Sequence, residues 1–135
     1  MPNLVFSSNK PISEPQKATI ASRLMQYTAE FLKKDPQVTN VIMSDAPGTW
    51  FSAGNNITDT PLITLTIYVT EGTNTAEEKS LWLEHVWGYL QDELQIPDSY
   101  PNYIVIQDVA GDSWGYNGET QLQRKLKREE NPDGV

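Results

Sequence analysis

Few residues in this chain could carry chemistry, and their types narrow the choice quickly. Proline stands second, in the opening stretch MPNLVFSS. Removal of an initiator methionine proceeds readily when the next residue is as small as Pro2, and loss of Met1 leaves a free secondary amine. A terminal amine has a reference pKa of about 7.7–8.0, and burial lowers it further by disfavouring the ammonium form. A neutral secondary amine at pH 7 is a competent general base. The single His85 lies within the helical stretch WLEHVWGYL, away from any nucleophile elbow, and reads as a structural or surface residue. The chain has no cysteine, which removes disulfides, thiolate metal sites and cysteine nucleophiles. With one histidine and scattered carboxylates, no metal or other cofactor is expected. Asp45 and Asp108 stand at matching strand ends, where turn-forming aspartates are common, and a catalytic Asp108 is the lesser reading. GDSWGYNG follows a strand without opening a helix, so it is no phosphate cradle.

These groups need elements to position them. LVF at 4–6 reads as a short strand ended by SSNKP. Ser13 with Gln16 forms a capping-box pattern, with Pro15 in the first turn. Ile20, Leu24, Tyr27 and Phe31 follow as one helical stripe, which Asp35-Pro36 stops. VTNVIM at 38–43 is a β-branched strand, and SDAPGTWFSAGN a loop. The same order then returns. PLITLTIYV is a strand, TEGTN a turn, and Thr75 with Glu78 a second capping box. Leu83, Trp87, Leu90 and Leu94 make the second stripe, closed near Pro97. YIVI at 103–106 is a strand and QDVAGDSWGYNG a loop. Landmarks recur at nearly constant offsets: 62 from Ser13 to Thr75, 61 from Pro36 to Pro97, 64 from Trp50 to Trp114.

This pattern predicts an α+β chain, a tandem β-α-β repeat with units over about 2–60 and 61–118. Residues 1–118 form one domain and 119–135 a C-terminal arm. Two such units give a four-stranded mixed sheet with two helices on one face. The strands are apolar almost throughout, as strands buried on both faces usually are. No third long helix is available, so the other face is expected to pack against further copies of the chain.

The length of 135 residues suits one compact domain. A net charge of −8 argues against a nucleic-acid partner, which needs clustered cations. The one basic cluster, RKLKR at 124–128, is followed at once by EENPD and reads as a solvated arm. No apolar run approaches the ~20 residues of a membrane span, and no charged-then-apolar leader precedes the first strand. No membrane partner and a cytoplasmic location are therefore expected.

The start PNLVFSSNKP, the segment KKDPQVTNV and the ending YIVIQDVAGDSWGYNG resemble the tautomerase superfamily. Within it the chain is most similar to the macrophage migration inhibitory factor-like branch, whose chains carry two β-α-β units, and the resemblance covers roughly residues 2–118. It implies a catalytic amino-terminal Pro2 and a homotrimer packed around the second sheet face. It further implies that Lys34, in KDPQ, binds a substrate carboxylate and that Tyr103 reaches the site from a neighbouring subunit. Val69 and Tyr116 would line the pocket, and Trp50, Phe51 and Trp114 would join Tyr116 in an apolar wall. Ordinary core or interface packing is the plainer use of those aromatics.

The chain also departs from the branch. Val105 stands where the branch has an asparagine, and the thiol motif is absent. NKPIS, TNV and TEGTN lack the arginines with which other branches grip dicarboxylates. The implied activity is cofactor-independent keto–enol exchange on a small-molecule, phenylpyruvate-like 2-keto acid, rather than dicarboxylate isomerisation, dehalogenation or hydration. The competing class is a non-catalytic oligomeric binding or signalling protein that keeps the fold.

Overall fold

The computed structural model describes residues 2–45 and 48–130, so Met1 and the last five residues of the arm lie outside the described residues. Strand β1 (Asn3–Ser8) leads into α1 (Glu14–Leu32). Ser13 Oγ accepts the Gln16 N–H at 3.2 Å to start that helix, and Lys33 ends it in the left-handed region at φ 59°. A one-turn 3-10 helix (Pro36–Val38) passes to β2 (Asn40–Asp45), followed by the short hairpin β3 (Phe51–Ser52) and β4 (Asn55–Asn56). The second unit repeats the plan with β5 (Ile63–Thr70), α2 (Ala76–Leu94) and β6 (Tyr103–Val109). Thr75 and Glu78 close a reciprocal capping box at 3.1 and 2.8 Å, and Gln95 ends α2 as Lys33 ends α1. A last hairpin, β7 (Gly115–Tyr116) and β8 (Glu119–Thr120), runs directly into α3 (Gln121–Glu130).

The four long strands form one sheet in the order β2-β1-β5-β6. Each β-α-β unit contributes a parallel pair, and the units meet along antiparallel β1 and β5. The sheet is therefore mixed. Both units carry the same clasp between helix start and strand end: Lys17 reaches Asp45 at 3.0 Å, and Lys79 reaches Asp108 at 2.7 Å. Asp45 also accepts the Ile12 N–H, the main reason its carboxyl is held below the usual range, with Lys17 second.

Leu4 and Phe6 of β1 and Ile63, Leu65, Ile67 and Val69 of β5 point into the core shared with α1 and α2. The helices present Ile20, Leu24, Thr28 and Leu32, and Trp82, Val86 and Leu90. Thr28 is buried without penalty because its hydroxyl donates to the Leu24 carbonyl at 2.7 Å and accepts the Trp82 indole N–H at 3.1 Å. The stripe expected through Tyr27 and Phe31 is thus rotated by one position. Those two rings flank the helix pair instead, where Phe31 stacks on His85 with ring centres 4.3 Å apart. Likewise Leu83, Trp87 and Leu94 only flank the core, while Trp82 and Val86 fill it.

On the opposite face the register places Ile42, Val5, Thr66 and Val105 in one row across the sheet. The row beside it is Asn40, Asn3, Tyr68 and Gln107, and the other is Ser44, Ser7, Thr64 and Tyr103. The face is therefore half polar, where the sequence suggested a continuous apolar surface. Alternating threonines keep the strands β-branched without making both faces greasy. Ile42 and Val105 remain 50% and 40% exposed. Two segments expected as loops hold the hairpins β3–β4 and β7–β8, and residues 121–130 of the arm are helical. Among the described residues no helix is long and apolar enough to cross a membrane.

Candidate functional site

At the end of the sheet where β1 begins, buried Pro2 borders a cavity of about 530 Å³. Its carbonyl accepts the Asn40 N–H at 3.3 Å, which fixes the start of β2 beside it. Trp114 and Tyr116 supply the aromatic wall, and Gln37, Asn40 and Asn117 supply polar groups. Asn3 and Val38 complete the side nearest β1. None of these lining side chains is charged.

The wall is built by the last hairpin. Asn117 and Gly118 both take positive φ, 52° and 91°, as the two central residues of a tight hairpin turn require. Gly115 sits where a Cβ would come within 1.8 Å of the Glu119 carbonyl oxygen, so the strands can approach only with glycine there. The Trp114 indole N–H donates to Thr70 Oγ1 at 3.1 Å, pinning the ring to the end of β5.

Lys34 lies at the same end of the sheet and outside the cavity lining. Its ammonium donates to Thr73 Oγ1 at 2.7 Å, and Thr73 in turn donates to the Thr70 carbonyl at 2.6 Å. Burial pushes the Lys34 pKa down, while the charges of Glu78 and Asp108 oppose that shift. Lys34 and Trp114 are thus both tied to Thr70.

The other residues singled out from sequence lie elsewhere in the single chain. Val69 is fully buried among the core residues facing the helices. Tyr103 is 68% exposed at the start of β6, level with Ser7 through Thr64. Four residue steps separate Ser7 from Asn3, about 13–14 Å along a strand. Trp50 and Phe51 belong to the hairpin after β2, beyond the end that pairs with Ser8, and Phe51 is 68% exposed. The chain therefore brings together Pro2, Trp114 and Tyr116, with Lys34 nearby, and leaves Tyr103, Trp50 and Phe51 at the far end. Asp108 is engaged by Lys79, and the His85 Nδ1 lies 2.9 Å from the Leu81 carbonyl, one turn back. Sequence reasoning did not single out Gln37, Asn40 or Asn117; of these only Asn117-Gly118 carries a local signal, for the turn.

No protein-family model and no curated protein matches the sequence. Solved structures do resemble the fold. Pt0534 inactivated by 2-oxo-3-pentynoate superposes with a TM-score of 0.79 at 17% identity, over 90% of this chain and 98% of that one. Fused 4-OT, an asymmetric trimer, gives 0.79 at 18% identity, over 93% and 99%. The macrophage migration inhibitory factor homologue of Prochlorococcus marinus gives 0.72 at 22% identity, over 87% and 97%. The chain has the tautomerase-superfamily fold.

Proposed function

We propose that this tautomerase-fold chain is a keto–enol tautomerase of phenylpyruvate-like 2-keto acids, with the Pro2 amine as general base. The observation that carries this reading is buried Pro2 at a roomy cavity that has two aromatic walls and no carboxylate lining. An aromatic ring on the substrate suits Trp114 and Tyr116. The inactivation of Pt0534 by a 2-oxo acid supports the substrate class.

In the reaction, neutral Pro2 nitrogen takes a proton from the carbon beside the ketone. The C–H electron pair becomes the new C=C bond, the C=O π pair moves onto oxygen, and that oxygen takes the proton back from the Pro2 ammonium, which restores the neutral amine. The reverse direction starts from the enol hydroxyl and delivers a proton to carbon. The side-chain amide of Asn40, beside Pro2 at the cavity, would offer an N–H to that oxygen. Lys34 would attract the substrate carboxylate. Tyr103, far from its own Pro2, would serve a neighbour's cavity in a homotrimer.

The mature protein, shown by intact mass to lack Met1, is expected to exchange enol and keto phenylpyruvate. No turnover by such a protein would refute the assignment. The trimer predicts a separate result: sedimentation equilibrium at micromolar concentration should return three times the chain mass, and a monomer would overturn it. One observation favours a second reading, a non-catalytic oligomeric binding protein: the Lys34 ammonium is engaged by Thr73. Retained Met1 would decide for that reading, because the Pro2 nitrogen would then be an amide without basicity.

A further inference from the structure

The helix that follows the last hairpin is bonded to both aromatic walls of the cavity. The Gln121 N–H donates to the Trp114 carbonyl and the Leu122 N–H to the Gly111 carbonyl, each at 2.9 Å. One turn further on, the Arg124 guanidinium lies over the Tyr116 ring, its carbon 3.6 Å from the ring centre. Its Nη2 donates to the Tyr116 carbonyl at 3.0 Å, and Glu119 stands 3.7 Å away as the counter-charge. Lys127 also pairs with Glu119, so the acid is shared between two cations. Among the described residues the buried Arg124 Nε has no hydrogen-bond partner. A guanidinium that gives up one of its bonds while stacking this closely is held by the ring and the carbonyl together.

We propose that Arg124 is a positioning residue of the Pro2 cavity: by stacking on Tyr116 and holding its carbonyl, it fixes the wall against which an aryl substrate rests. The arm, which its charge pattern suggested was only solvated, is in this account part of the site. Arg124 does not line the cavity. It acts through Tyr116, so its contribution depends on whether the substrate carries a ring. The aryl selectivity rests on the tautomerase reading above; the fixing of the hairpin does not.

The test compares wild type, Arg124→Met and Arg124→Lys. Methionine keeps an apolar stem and removes both charge and fork, while lysine keeps the charge alone. Amide hydrogen exchange should be about ten-fold faster over residues 113–120 in Arg124→Met, with β1 and β5 unchanged. The KM for phenylpyruvate should rise about ten-fold with kcat nearly constant, whereas the KM for the ringless 2-oxobutanoate should stay the same. Arg124→Lys should resemble Arg124→Met, because an ammonium cannot stack flat or fork. Unchanged exchange over 113–120, exchange raised equally throughout the chain, or equal KM changes for both substrates would overturn the proposal. A wild type inactive on both substrates would remove the tautomerase reading, while the exchange data would still decide whether Arg124 fixes the hairpin.

Discussion

Phenylpyruvate turnover should fall by roughly 10²–10⁴-fold when Pro2 is replaced by alanine, the span a positioned general base contributes. The mature variant still begins with an amine, a primary one, so the loss should lie toward the lower end of that span. Folding should be nearly untouched. The hydrogen bond that ties Pro2 to the sheet is through its carbonyl, which accepts the Asn40 N–H, and alanine retains that group and loses only the packing of the ring. An unchanged thermal midpoint with collapsed turnover thus separates chemistry from stability. Equal turnover in the two proteins would make the amine a bystander and leave the cavity as a binding pocket. The measurement requires intact masses of both proteins, since a retained methionine would silence wild type and variant alike.

Some of this architecture is written locally in the sequence. Thr75 and Glu78 need only each other to form their box, so four residues suffice to place the start of α2. Ser13 and Gln16 look the same in sequence, yet the Gln16 side chain turns to the Glu93 carbonyl at 3.4 Å, a partner 77 positions away. Hydropathy periodicity misplaces the helix stripes for a related reason. Thr28 reads as polar until Trp82 and Leu24 satisfy its hydroxyl, so hydropathy periodicity passes over a core position. Asn117-Gly118 carried a legible hairpin signal, but two-residue strands leave no alternation to read beside it. The site divides in the same way. Pro2 is marked by position alone, whereas the contact of Arg124 with Tyr116 depends on α3 folding back along β7–β8, and nothing in RKLKR announces it. Tyr103 lies exposed at the far end of its own sheet, and single-chain geometry assigns it no cavity; its use in the proposed trimer would rest on a second copy.

Lys34→Met should weaken binding of phenylpyruvate by about 1.5–3 kcal/mol, the usual worth of a lost hydrogen bond to a charged group. It should do so without weakening the fold. Burial holds the Lys34 ammonium below the ordinary lysine range, so the folded chain binds that proton less well than the unfolded chain. The protonated side chain therefore opposes folding at every pH below its folded value, and the opposition fades as pH rises toward the unfolded value. At pH 7 the neutral methionine removes this cost, and the hydroxyl of Thr73 keeps its bond to the Thr70 carbonyl. The thermal midpoint should then hold or rise while affinity falls, which is how a residue kept for function rather than stability behaves. A second signature lies in the pH–rate profile. If Pro2 is the base, activity should fall on the acid side as its amine gains a proton, and a cation at the same end of the sheet should make that proton harder to gain. Without Lys34 the amine pKa should rise, and the acid limb for free enzyme should move to higher pH. An unmoved limb together with unaltered affinity would confine Lys34 to what its bond already shows, the anchoring of Thr73 behind Trp114. The substrate carboxylate would then have to be held by the neutral amides of Gln37, Asn40 and Asn117 that line the cavity, and affinity would not follow the charge at position 34.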